Sequence, residues 1–371
     1  SSPAAGDLVE QRVPCGPRAR AMNRLLWRAR PQLIRSATPL ESLRGGRLLA
    51  GLSLGRRLRG ERGLAASPLG VHIPEDRLKE FLQAEVSFFA GQEPRSISMR
   101  QILDAATPEQ AAALTHTELP IRFAQRILQI ESLPGWETSP ELVEVHKLYS
   151  RTFRDLRLVE LDVNNLEPFT EVVHTIKERM KGVIPSLAMA MRRGQRQGAF
   201  SEAQMTEWLD TFLLSRIGTE MLTSQYIACT TPNIKAKKNR KGIVDQVCDP
   251  VSICEQAAKH TKKLARQHCS LDRDVVIEVE FMDAEPRVKF PYVPQYLFYI
   301  MVELLKNSAR ATVELCAAEN GRLEDRPIVI SVGADDSQVA IRVHDKAGGI
   351  PFNVADRVWS YMYSTVKSDN A

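Results

Sequence analysis

The chain has 371 residues, 43% of them apolar and 26% charged, with a formal net charge of +5. That length suggests about two domains of ordinary globular composition, and the absence of any run of about 18 apolar residues argues against a transmembrane helix. Residues 1–66 hold 13 Arg, no Lys and four acids, a net of +9, so the other residues together carry −4. The basic excess therefore belongs to the N-terminus and not to the folded body, and a nucleic-acid surface is not implied.

The segment Met22-Asn-Arg-Leu-Leu-Trp-Arg-Ala-Arg30 sets arginines around an otherwise apolar turn. A cationic, acid-poor, amphipathic leader of this kind has the composition of a mitochondrial transit peptide, and residues 1–66 are read as one, otherwise disordered. The six cysteines make no CxxC pair and no zinc spacing with histidine. They read as reduced, mostly buried thiols.

From Ile73 to Tyr226 the apolar residues recur at three and four: Leu78, Phe81, Leu82, Val86 and Phe89, then Ile121, Ala124, Ile127 and Leu128, then Leu209, Phe212, Leu213 and Ile217. This periodicity predicts amphipathic helices, with Ile121, Ile127, Phe212 and Ile217 buried. Loops are expected at Leu133 to Trp136, Asn164 to Pro168 and Arg193 to Gly198. The result is an all-α helical bundle over residues 73–230. Residues 231–245, with the basic cluster Lys235 to Lys241, read as a linker with a solvated loop.

Beyond it the pattern changes. A helix is expected over Val251 to Gln267 and a strand over Asp274 to Phe281. A long helix follows over Gln295 to Cys316. Strands over Pro327 to Val332 and Gln338 to Val343 are joined by a turn at Ala334 to Ser337, which makes a hairpin. Residues 246–371 are thus an α+β domain.

The long helix carries Leu297, Met301, Leu304, Ser308, Ala311 and Leu315 on one face. A second stripe holds Glu303, Asn307, Arg310 and Glu314, offset by about 100°. A carboxylate, an amide and a guanidinium on one edge could hold a base, a magnesium ion and a phosphate side by side. After the hairpin comes His344-Asp-Lys-Ala-Gly-Gly-Ile-Pro351. Its Asp345 could accept from an exocyclic amine, and its glycines would let backbone approach a ligand; taken alone, it is a turn.

Together these segments resemble a family. Glu303 to Arg310 is similar to the N box of the Bergerat-fold ATPases, and Asp345 to Gly349 to their first glycine box. Within that group the resemblance narrows to the mitochondrial 2-oxoacid dehydrogenase kinases. The supporting segments are Glu118-Leu-Pro-Ile-Arg122, Glu131-Ser-Leu-Pro134, Leu214-Ser-Arg-Ile-Gly218, Pro291-Tyr-Val-Pro294, Asn307-Ser-Ala-Arg-Ala311 and Tyr361-Met-Tyr-Ser-Thr365. The last favours the pyruvate enzymes over the branched-chain ones.

The resemblance implies a helical bundle that docks on the lipoyl domain of the pyruvate dehydrogenase complex, and a Bergerat-type domain that binds ATP and Mg2+. The activity implied is phosphorylation of serines on the decarboxylase subunit in the mitochondrial matrix, which inactivates the complex, by an enzyme that forms a homodimer. Carried over by position, Glu303 is the catalytic base, Asn307 the magnesium ligand and Asp345 the adenine reader. Lys306, Arg310 and Gly349 lie in the nucleotide-binding segments, and Ser364 and Thr365 lie nearby.

The chain also departs from the family pattern. Tyr299 stands where a histidine precedes the base by one helical turn, Arg179-Met180 where Arg-His precedes the segment now reading Val183-Ile-Pro185, and Ala347 where the box has glycine. An alanine forced to positive φ there would cost about 1 kcal/mol. The family's second glycine motif and ATP lid do not occur before Ala371. On this reading the chain is truncated before the lid, and the hairpin strands present an unpaired edge. The alternative is a catalytically inactive chain acting as a lipoyl-domain or kinase-dimer binding module.

Overall fold

A computed structural model describes residues 75–231, 239–268, 271, 273–282, 288–335 and 338–361. The expected leader, residues 232–238 of the expected linker, and Ser364 and Thr365 lie outside the described residues.

Seven helices make the first part: α1 Glu75–Ala90, α2 Met99–Asp104, α3 Pro108–Glu131, α4 Pro140–Leu158, α5 Glu167–Met180, α6 Val183–Arg196 and α7 Glu202–Thr230. Their starts are written locally. Ser98 with Gln101, Thr107 with Gln110 and Ser201 with Gln204 form capping boxes, and Pro108 and Pro140 sit in first turns. Each box satisfies two amide donors that a helix N-terminus leaves unpaired. Gly135, at φ 70, turns the chain in the expected loop between α3 and α4.

Helix α3 is central, packing on α1, α4 and α7. Phe123, Phe153, Phe169, Phe212 and Tyr226 are fully buried among these helices. Two of the sequence segments quoted above meet here. Glu118 is buried and accepts from the Arg95 amide at 3.1 Å, while Arg122 lies 3.5 Å from the same carboxylate and donates to the Arg95 carbonyl at 2.6 Å. A Cβ on Gly218 would come within 2.8 Å of the Arg122 guanidinium, so a larger residue there would push that side chain off this buried ion pair.

Two expectations need correction. Ile121, Ile127 and Phe212 are buried, but Ile217 is 55% exposed. Helix α7 turns Gly218 toward Arg122, and Ile217, one residue earlier and about 100° around, is carried outward. Phe81 and Leu128, which carry the helical periodicity without being expected inside, are exposed as well. The loop expected at Arg193 is shorter: α6 continues to Arg196, and the chain turns at Gly198 with φ 68.

The second part begins within the expected linker. Residues β1 Arg240–Lys241 and β2 Val244–Cys248 pair antiparallel, and β2 pairs with β4 Phe290–Tyr292. Helix α8 spans Pro250–His268, and α9 spans Pro294–Glu319. The second sheet has the order β3-β5-β6, with β3 Ile277–Phe281 parallel to β5 Ile328–Ala334, and β5 antiparallel to β6 Val339–His344. The hairpin expectation holds, and among the described residues β6 pairs with β5 alone. The strand expected from Asp274 starts later, at Ile277. Helices α8 and α9 cover the sheet through a core that includes Cys254, Met301, Leu305, Ile328, Ile330 and Val332.

A smaller core joins the helical part to the first sheet: Ile102 from α2, Ile243 and Val244 from the β1–β2 hairpin, and Val293 before α9. Buried Gln225 of α7 clasps it. Its amide donates to the carbonyls of Ile102 at 3.1 Å and Ala105 at 2.9 Å, and its oxygen accepts from the Ile243 amide at 3.0 Å. The turn carrying Ile243 passes through Gly242 at φ 58, where a Cβ would lie 2.1 Å from the Gln225 oxygen.

Residues 352–361 fall outside this unit and contain a short helix, Phe352–Ala355, and a 3-10 turn, Arg357–Trp359. Of the cysteines, Cys248, Cys254 and Cys316 are buried free thiols and Cys229 is half-buried. Burial, with nearby carboxylates second, pushes Cys248 up to about 11 and Cys254 up to about 12, so both stay protonated at neutral pH. No helix among the described residues is long and apolar enough to cross a membrane.

Candidate functional site

Helix α9 is the longest element of the α+β part. Pro294 enters it in the first turn, where the missing amide proton costs nothing. Asn320 closes it at φ 51 and returns its N–H to the Cys316 carbonyl. Between these ends the buried stripe is Leu297, Met301, Leu305, Ser308, Thr312 and Cys316. This corrects the expected apolar face by about one residue: Leu304 is 46% exposed, while Leu305 is fully buried. Helix α8 and the sheet beneath α9 together select the face.

That rotation leaves the polar stripe facing outward. Asn307, Arg310 and Glu314 are exposed, and Glu303 is half-buried. The Lys306 ammonium donates to both oxygens of Glu303, at 3.0 Å and 3.1 Å. Arg310 donates from Nε to Glu314 at 2.6 Å. The amide of Asn307 is thus displayed between two short-range ion pairs on one helix edge.

Asp345 follows the last residue of β6, whose Ile341 and Val343 pack against the core that holds Met301 and Leu305 of α9. One core therefore fixes both the polar stripe and the strand that leads into Asp345. The Asp345 carboxylate is half-buried and accepts from the Ala347 amide at 3.1 Å. This turn uses one of its oxygens, and among the described residues the other has no partner and can accept. Gly348 and Gly349 take φ 85 and 75, a region that L side chains avoid. Ala347 does not share it, since the one non-glycine residue with positive φ among the described residues is Asn320. The penalty considered for Ala347 therefore does not arise.

The remaining departures also find places. Tyr299 is 65% exposed one turn before Glu303. Arg179 ties α5 to α4 through Thr152 at 2.9 Å and Asp155 at 2.8 Å, and the Met180 carbonyl accepts from Arg216 at 2.9 Å. This pair is held as packing between helices. The sequence reading placed Lys306 in the nucleotide segment but missed its grip on Glu303, which the three-residue spacing on a helix could have indicated. Nothing local in the sequence marked Gln225.

Comparison with known proteins agrees with a protein kinase as the class. A family model described as mitochondrial branched-chain alpha-ketoacid dehydrogenase kinase matches residues 96–246. A mitochondrial [pyruvate dehydrogenase (acetyl-transferring)] kinase from Arabidopsis thaliana is 31% identical over 264 residues, which cover 70% of this chain and 69% of the relative. Isozyme 4 of that kinase from Ictidomys tridecemlineatus is 28% identical over 308 residues, covering 76% and 71%. The kinase from Drosophila melanogaster is 28% identical over 297 residues, again covering 76% and 71%. The chain belongs to the mitochondrial pyruvate dehydrogenase kinase family.

Proposed function

We propose that this chain is a mitochondrial protein kinase that uses ATP and Mg2+ to phosphorylate serines on the decarboxylase subunit of the pyruvate dehydrogenase complex, and so inactivates it in the matrix. The observation that carries this reading is the outward stripe Glu303–Asn307–Arg310, fixed by the same core as the strand that leads into Asp345.

In this reading residues 246–361 belong to a Bergerat-type nucleotide domain. Asp345 accepts from the adenine amine with its free oxygen, and Gly348 and Gly349 let backbone lie close to the nucleotide. Arg310 faces the phosphates. Asn307 offers a neutral amide oxygen that is exposed on α9, a hard donor of the kind that magnesium takes beside water and phosphate oxygens. When bound, the ion supplies charge neutralisation on the phosphates. Glu303 accepts the serine hydroxyl proton as the serine oxygen bonds to the γ-phosphorus, and ADP leaves with the electron pair of the broken P–O bond. Ser364 and Thr365 remain expected neighbours of the nucleotide.

The helices from Glu75 to Thr230 serve in this reading as the regulatory part that docks on the lipoyl domain, and the kinase works as a homodimer.

The test is label transfer from radiolabelled ATP to serine of the decarboxylase subunit, with magnesium present. Glu303→Gln should lower the rate by about 10²-fold or more, as loss of a general base does, with no loss of nucleotide affinity. Transfer that survives Glu303→Gln unchanged would sink the assignment.

A further inference from the structure

We infer that Lys306 is a shared cation: it holds the Glu303 carboxylate while the phosphate site is empty and releases it when nucleotide phosphate arrives. The inference rests on the reading of Glu303 as base and of this stretch as nucleotide-facing.

The geometry is specific. Lys306 Nζ sits across the edge of the carboxylate, 3.0 Å from Oε1 and 3.1 Å from Oε2, three residues on along α9. A proton acceptor must offer one of those oxygens to the substrate hydroxyl. A single ammonium bridging both engages one acceptor site on each oxygen and holds the carboxylate toward the lysine. The pair is also weak enough to exchange. Its two side chains are 46% and 43% exposed, so water competes for each, and exposed lysine–carboxylate pairs are held by little net free energy. A phosphate of higher charge brought beside α9 offers the flexible lysine a stronger partner.

Lys306 is therefore a positioning residue that acts through Glu303. Nucleotide binding and release of the Glu303 carboxylate are thereby coupled, by as much as this exposed pair is worth. Arg310 stands in the same relation to Glu314, 2.6 Å away, so both cations of this edge rest on carboxylates before phosphate arrives.

Because nucleotide must first take Lys306 from Glu303, neutralising the carboxylate should tighten phosphate binding, and the gain should depend on the lysine. Calorimetry on the full chain with ATP, ADP and adenosine reads this directly, with far-UV circular dichroism confirming that each variant folds. Glu303→Gln should bind ATP about 1.5- to 5-fold more tightly than wild type and leave adenosine unchanged. In a Lys306→Gln background the further Glu303→Gln change should bring no gain, and Lys306→Arg should restore the coupling. ADP separates the β- from the γ-phosphate as the competitor, since equal gains for ADP and ATP place the exchange at the β-phosphate. In the transfer assay Lys306→Gln should raise KM for ATP far more than it lowers kcat, the reverse of Glu303→Gln.

A gain that persists without Lys306 would show simple repulsion between Glu303 and phosphate and overturn the exchange. So would no gain at all. Failure of the base assignment is read separately, as transfer that survives Glu303→Gln. Absence of ATP binding by the wild-type chain would overturn both.

Discussion

Replacing Gln225 with leucine keeps most of the side-chain volume and deletes three buried hydrogen bonds at once. The Ile243 amide loses its acceptor at 3.0 Å, and the carbonyls of Ile102 and Ala105 lose a donor at 3.1 Å and 2.9 Å. An unpaired buried group costs about 1–3 kcal/mol, and carbonyls with a second lone pair fall at the low end. Assigning about 2 kcal/mol to the amide and about 1 kcal/mol to each carbonyl gives a loss of about 4 kcal/mol. That is a large share of the ~5–15 kcal/mol that holds a typical domain. Gly242→Ala attacks the same clasp from the other side, since its Cβ would meet the Gln225 oxygen at 2.1 Å and its φ is 58. Of its cost, about 1 kcal/mol is backbone strain, and the rest is displacement of Gln225. The two sites must then couple, so Gly242→Ala should cost less in a Gln225→Ala chain, where the clash is gone. Urea unfolding followed by far-UV circular dichroism measures each value as a shift in midpoint at constant slope. A loss below about 1 kcal/mol for Gln225→Leu, or strict additivity of the pair, would show that the clasp does not join the helical part to the first sheet.

Two further outcomes are expected. Phe212→Ala should cost about 3–5 kcal/mol by leaving a cavity, whereas exposed Ile217→Ala should stay within about 0.5 kcal/mol; comparable midpoints in urea would refute the observed rotation of α7. Burial, aided by Arg157 against an opposing hydrogen bond to the Val159 backbone, lowers the pKa of His116 below that of a free histidine. The unfolded chain then binds the proton more readily, so this contribution is complete above pH ~6.5 and is lost as pH falls from there toward the folded value. Urea midpoints between pH 5 and 7 should show a slope that His116→Gln flattens; an unchanged slope would exclude this residue as its source.

The sequence by itself determined what is written within a few neighbouring residues. The turn at Gly135 and the alternating strands of the hairpin are local patterns, and each appears where expected, within a residue or two; the capping boxes at Ser98, Thr107 and Ser201 are equally local, each closed within four residues. The polar stripe of α9 was legible for the same reason, since a spacing of three or four residues fixes an edge of a helix before anything packs on it. The choice among apolar faces needed the tertiary structure. Leu304 and Leu305 are equally apolar in sequence, and the core that α9 shares with α8 and the strands buries one and leaves the other exposed. Ile217 was expected inside by its spacing, yet the close approach of Gly218 to Arg122, 96 positions earlier in the chain, turns it outward. Gln225 carries no local signal because its three partners come from α2 and the β1–β2 turn. Contacts between residues far apart in sequence exist only once helices have docked, and a helix with two apolar edges does not hold in its own sequence the information about which edge its neighbour will cover.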